Sequence, residues 1–276
     1  MYTYKFLDDV KFGIRHDKNE LYTSNPEIVV SAPVLPKKII NSTKVTLFPY
    51  DHGDINCAPS NIICSAAYFK IKINEKTSFF GNRKVILPSR LYNYNLARIM
   101  EDSRLSEESG CMTETCLNVL CKYGLGDEIV FRYDRSNINK LPLFLNNSLK
   151  GQFRYKKLQL DLCTIKFHLS QCNPVILSIV MPDYMKILDK GLLVKPCMLS
   201  ENSSIKPFIS NDKDIVNEKH SAHTVLLLDS DDDKEMFKFL NCWGLNWGDS
   251  GYGYIMYNYA LDSNLVGDVY TLLMDV

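Results

Sequence analysis

The stretch that most constrains how this chain can fold runs from His223 to Asn258, HTVLLLDSDDDKEMFKFLNCWGLNWGDSGYGYIMYN. It holds two short β-rich runs, HTVLLLD at 223–229 and MFKFLNCW at 236–243, separated by an acidic polar turn. Such runs so close together predict antiparallel neighbours. Pairing them sets His223, which opens the first run, beside Asn241, which closes the second eighteen positions on. An asparagine that accepts from an imidazole fixes its tautomer, so the pair has the form of a general base and its orienter, half of a nucleophilic triad. Trp243, Gly244, Trp247, Gly248, Gly251 and Tyr252 then predict a glycine-turned corner in which tryptophan shields that hydrogen bond from water. A histidine and an asparagine that merely end core strands would not call for such a corner.

Elsewhere the periodicity changes along the chain. Residues 1–50 are mixed and proline-punctuated, which predicts an extended arm over the body. Helical patterns follow from Pro59 to about Lys72, from Ser89 through RLYNYNLARIM, and over SEESGCMTETCLNVLCKYG, where Gly124 stops the last of them. A short helix is expected over Leu158–Gln171. After it come short β-rich runs at 174–181, 223–229, 236–243 and 251–259, with a long polar loop at 199–222. Helices first and strands second indicate an α+β protein with two lobes meeting in a cleft.

The bulk numbers exclude several classes. The 276 residues carry 32 basic and 32 acidic side chains, so no net field would draw the chain to nucleic acid or an anionic membrane. Nothing approaches the roughly 20 apolar residues of a membrane span. The N-terminus has acidic residues where a signal peptide needs a basic flank, so an intracellular location is expected. Nine cysteines, an odd count, then favour reduced thiols over a disulfide framework. Cys111, Cys116 and Cys121, five apart, lack a zinc spacing and read as small apolar residues.

NCWGLNWGDSGYGY resembles the NSWGxxWGxxGY signature of the papain-like (C1-type) cysteine peptidases. In that resemblance Asn241 falls on the catalytic asparagine and His223 on the catalytic histidine, and Cys242 replaces the usual serine. The likeness extends to a branch found in bacteria, archaea and large DNA viruses. Its PSRLF-YYNxR helix, EDSGA helix start and GGHAV strand read here as PSRLYNYNLAR, EESGC and SAHTV. The resemblance implies one papain-like domain over 1–276. Its parts would be an arm at 1–50, a mainly helical lobe at 51–150 and a mainly antiparallel β lobe at 151–276, with the active-site cleft between the lobes. Ser109 and Gly110 match the pair whose backbone meets an extended substrate in relatives, although they also read as a helix cap followed by glycine. Trp243 is carried over as a further substrate-side residue. No cofactor or metal is implied.

The resemblance departs from the branch at Ser221 and Ala222, which replace the double glycine before the histidine, and most of all at the nucleophile. The family's nucleophile lies in a DQGxxGSCTANA-like segment, where a glutamine supplies an oxyanion donor and a cysteine opens a helix. Laid over it without gaps, DHGDINCAPSNIIC puts His52 on the glutamine and Ala58 on the nucleophile. An alanine cannot attack a carbonyl. Cys57 would serve only if the turn were one residue shorter, while Ser60 and Cys64 lie further into the helix. Losing an oxyanion donor typically costs about 100- to 1000-fold in rate, and losing the nucleophile costs more. The expectation is a peptidase homologue that does not cleave and keeps a peptide- or protein-binding cleft or a structural role. The alternatives are an active endopeptidase using Cys57, or Ala58 as an engineered replacement of a cysteine; the change at His52 argues for natural loss. The Asn-, Lys-, Ile- and Tyr-rich composition suits an AT-rich genome, so a viral origin and a place in a virion or other protein assembly are further expectations.

Overall fold

A computed structural model describes residues 34–53, 55, 57–77, 87–101, 109–142, 149–181, 191–193 and 221–275. Most of the 1–50 arm and of the 199–222 loop lies outside these residues. Three helices come first: α1 (Ala58–Thr77), α2 (Arg90–Met100) and α3 (Thr113–Tyr123). Helix α1 has Pro59 in its first turn, where no N–H is needed, and buries Ile62, Ile63, Ala66, Ala67 and Phe69 completely. Helix α2 starts where Ser89 Oγ accepts the Tyr92 N–H at 3.2 Å, as the sequence predicted. Helix α3 ends at Gly124, whose φ of 75° with ψ of −152° is a backbone conformation open essentially to glycine alone.

Strands dominate the remainder. They are β1 (Lys38–Ile39), β2 (Phe153–Lys157), β3 (Val175–Met181), β4 (Leu192–Leu193), β5 (Ser221–Asp231), β6 (Met236–Leu240), β7 (Tyr252–Met256) and β8 (Val266–Met274). Helix α4 (Leu162–Ser170) precedes β3, and the short α5 (Tyr257–Ala260) follows β7. They form one sheet in the order β2-β8-β3-β5-β6-β7-β4, with β1 on the edge of β5; every pairing is antiparallel except β4 with β7. Among the described residues no helix is long and apolar enough to cross a membrane.

The run TVLLL in β5 explains where the core sits. Successive side chains of a strand alternate faces. Leu226 and Leu228 join one apolar cluster with α1 and α3, while Val225 and Leu227 join the other, with α4, Trp247 and Tyr257. Both faces are therefore buried, and the strand reads as a continuous apolar run for that reason. Each fully buried leucine contributes about 1.5–3 kcal/mol, so the run anchors the helical layer to the sheet.

Several local expectations change. Ser109 does not cap α3: the capping position is Met112, without a side-chain bond. Phe153–Lys157 forms an unforeseen strand, and α4 begins at Leu162, with Asp161 accepting the Thr164 N–H, rather than at 158. The run 251–259 is a strand only to Met256, after which the chain turns into α5. The described part of the arm is tied down by Asp229, whose carboxylate accepts the N–H groups of Asn41 and Ser42 at 2.7 Å each.

Candidate active site

His223 is the third residue of β5, opposite Ile179 of β3, and is buried. Asn241 is the first residue after β6, held there by its N–H on Gly251 O at 3.0 Å. Gly251 has φ of 86°, and a Cβ there would stand 2.1 Å from Pro49 Cβ, so only glycine allows the corner to close. The Asn241 Oδ1 accepts the Cys242 N–H at 2.8 Å, which identifies that atom as the oxygen. The same oxygen lies 2.7 Å from His223 Nε2. An amide oxygen only accepts, so Nε2 carries the hydrogen and the neutral ring has its lone pair on Nδ1. The Trp243 ring packs on His223 at 4.8 Å between centroids and meets Trp247 edge-on.

The segment carrying His52 is laced to the same corner. His52 N–H donates to Cys242 O at 3.0 Å, Gly244 N–H donates to Tyr50 O at 3.1 Å, and Asp51 pairs with Trp243. Gly53 turns the chain away at φ 58°. The indole N–H of Trp243 reaches His52 Nε2 at 2.9 Å. An indole N–H only donates, so Nε2 accepts and the neutral His52 ring is protonated on Nδ1. That Nδ1 is buried with no hydrogen-bond partner among the described residues. Burial pushes the His52 pKa down, Asp51 opposing it in part, so the ring is neutral at neutral pH. The sequence led us to expect a covering role for Trp243; its setting of this tautomer was not foreseen, because the contact spans 191 residues.

The stretch around Cys57 and Ala58 has a different character. Ala58 is the first residue of α1 and packs in the same apolar cluster as Cys242. Cys57 is fully buried in a separate cluster with Ile55, Leu91, Tyr92 and Tyr94. Its sulfur lies 2.9 Å from Tyr133 Oη and 2.9 Å from Asn61 Nδ2. Tyr133 donates its only hydroxyl hydrogen to His52 O at 2.9 Å, so the thiol donates to Tyr133 and accepts from Asn61. Burial pushes the Cys57 pKa up to about 12. A reactive cysteine needs the opposite shift. Ser60 Oγ donates to Arg90 O at 2.5 Å and Cys64 Sγ to Ser89 O at 3.7 Å, so both fasten α1 to the start of α2.

Cys242 is the group that sequence reasoning passed over. One ligand atom each from His52, His223 and Cys242 lie within 4.8 Å of one another, the single such trio among the described residues. A tetrahedral zinc would need them roughly 3.5 Å apart, with a lone pair from each imidazole. The trio is looser than that, and the Trp243 N–H already takes the Nε2 lone pair of His52. The two imidazoles are instead engaged by Asn241 and Trp243, an arrangement that does not fit a metal centre. Ser109 and Gly110 lie before α3, where Ser109 O accepts from Tyr94 Oη at 2.5 Å.

No family model matches the chain. An uncharacterised peptidase C1-like protein of Acanthamoeba polyphaga mimivirus is 27% identical over 230 residues, covering 80% of this chain and 68% of that protein. Among solved structures, xylellain, a cysteine protease from Xylella fastidiosa, superposes with a TM-score of 0.72 at 22% identity, covering 92% of this chain and 91% of its own. Digestive procathepsin L 3 of Tenebrio molitor gives a TM-score of 0.66 at 17% identity, covering 91% of this chain and 73% of its own. These structural likenesses carry the fold, and the viral relative carries the family likeness in sequence. The chain has the papain-like fold and is similar in sequence to a viral peptidase C1-like protein.

Proposed function

We propose that this chain is a peptidase homologue that binds a peptide or protein segment in its cleft without hydrolysing it. The observation that carries the reading is Ala58 at the first position of α1, where the family resemblance places the nucleophile. A methyl group has no lone pair with which to attack a carbonyl. The base and its orienter, His223 and Asn241, remain in contact at 2.7 Å. The nearest replacement, Cys57, has both hydrogen-bonding capacities of its sulfur occupied and is sealed from solvent. His52 stands where the resemblance places the oxyanion glutamine, with its Nδ1–H buried, so the second element of the family's catalytic machinery is altered along with the first.

The test uses a fluorogenic peptide and an epoxide probe of cysteine peptidases on the full chain. The native protein should neither turn over the one nor be labelled by the other. Ala58→Cys should acquire labelling, since the imidazole and helix terminus that activate a thiol are already present. Hydrolysis or labelling by the native chain that vanishes in Cys57→Ala or Cys242→Ala would overturn the proposal. A place in a virion or other assembly fits a non-cleaving homologue, and finding the chain stoichiometrically in purified particles would support it.

A further inference from the structure

Cys111 and Cys116 occupy a position that gives their spacing a meaning. Met112 caps α3, so Cys111 immediately precedes the cap and Cys116 is the fourth helical residue. In a hydrophobic staple these two positions carry apolar side chains that pack on each other and fix how the chain enters the helix. Here both carry thiols, with the sulfurs 3.3 Å apart. The first helical bond, Cys116 N–H to Met112 O at 3.1 Å, is formed, so the contact belongs to an intact helix start. Among the described cysteines, all of them free, this is the pair whose sulfurs touch. Cys111 is half-buried and so the more accessible of the two, whereas Cys116 is fully buried.

We infer that Cys111 and Cys116 form a redox modification site, closing to a disulfide when the chain meets a low-molecular-weight disulfide such as oxidised glutathione. The Cys111 thiolate attacks one sulfur of the glutathione disulfide, forming a mixed disulfide and expelling one glutathione thiolate. The Cys116 sulfur then attacks Cys111 and expels the second. Two protein thiols are oxidised by two electrons, the small disulfide is reduced to two thiols, and the two protons pass to the departing thiolates. The sulfurs need to move only from 3.3 Å to the roughly 2.05 Å of a disulfide, within a helix start that already holds them together.

The link would make the staple covalent at the end of the Ser109–Gly110 segment. That segment is already pinned by Tyr94 on Ser109 O at 2.5 Å and by Glu101 Oε1 on the Met112 N–H at 2.9 Å. Oxidation thus rigidifies the backbone ledge beside α3, and it does so whether or not the cleft catalyses anything.

The full-length chain is equilibrated in oxidised and reduced glutathione, quenched in acid, denatured, alkylated and weighed by mass spectrometry. The nine alkylatable thiols of the reduced chain should fall to seven, with the cross-link mapped to Cys111 and Cys116. Cys116→Ser should stop at a stable glutathione adduct on Cys111. Cys111→Ser, at the half-buried and structurally milder position, should leave Cys116 free. A native chain that keeps all its thiols, stops at the Cys111 adduct, or links other cysteines instead would overturn the inference.

Discussion

The Oδ1 of Asn241 accepts two hydrogen bonds at once, from His223 Nε2 at 2.7 Å and from the Cys242 N–H at 2.8 Å. Both donors are buried, and a buried donor stripped of its acceptor costs about 1–3 kcal/mol. Asn241→Ala orphans both of them. We expect a loss of about 2–4 kcal/mol in urea unfolding, with the denaturant slope unchanged. A loss below about 0.5 kcal/mol, the scale of a surface substitution, would show that the pair is not a structural unit.

His52 makes the fold sensitive to acid. Its folded pKa is depressed below the ordinary 6.5 by burial. The unfolded state therefore binds the proton first, so stability is complete above about pH 6.5 and falls as pH drops toward the folded value. Protonating Nε2 would also set two donors, the ring and the Trp243 indole, against each other. His52→Gln should flatten the stability–pH curve between about pH 4 and 7 relative to the native chain. In the native chain, nitrogen-detected NMR at neutral pH should find His52 protonated on Nδ1, and Trp243→Phe should release that preference. A proton on Nε2 in the native chain would refute the assignment.

What was legible in the sequence follows the range of the interactions. The alternating and helical runs gave the α+β order, and the Ser89 cap was readable because cap and helix are contiguous. The His223–Asn241 pair was readable because a short turn joins its two strands. Strand β2 escaped notice because FRYKK carries charges at its exposed positions, and its partner β8 lies at the far end of the chain. The partners of Cys57 and His52 were invisible for the same reason. Tyr133 is 76 residues from Cys57 and Trp243 is 191 from His52, distances over which no local pattern operates.

Cys57 should behave as a structural thiol. It is fully buried, its pKa is pushed to about 12, and Tyr133 and Asn61 hold its sulfur. Alkylation by iodoacetamide at pH 7.5 should modify the half-buried Cys111, Cys163 and Cys172 first. Cys57 should react only at the rate of global unfolding, and its modification should accelerate in step with urea. Rapid modification of Cys57 in the native state, ahead of those three, would contradict this packing.

Arg90 ties the Cys57 segment to the helices behind it. Its guanidinium lies over the Tyr133 ring at 3.7 Å and the Tyr50 ring at 4.1 Å. The same group reaches Glu128 Oε1 and Asn61 Oδ1 at 3.3 Å each. Asn61 and Tyr133 are the two partners of Cys57, so one planar cation orients both. Lysine keeps the charge but cannot stack between two rings or reach two acceptors in one plane. Arg90→Lys should cost about 1–2 kcal/mol through the lost stacking. Arg90→Met should cost about 3 kcal/mol, because it also leaves the mostly buried Glu128 without its counter-charge. Both variants should raise the alkylation rate of Cys57, with methionine the larger effect, since a loosened Tyr133 uncovers the sulfur. Unchanged alkylation together with the stability loss would mean that Arg90 supports α2 alone, and that the Cys57 site holds itself together through Asn61 and the His52 carbonyl.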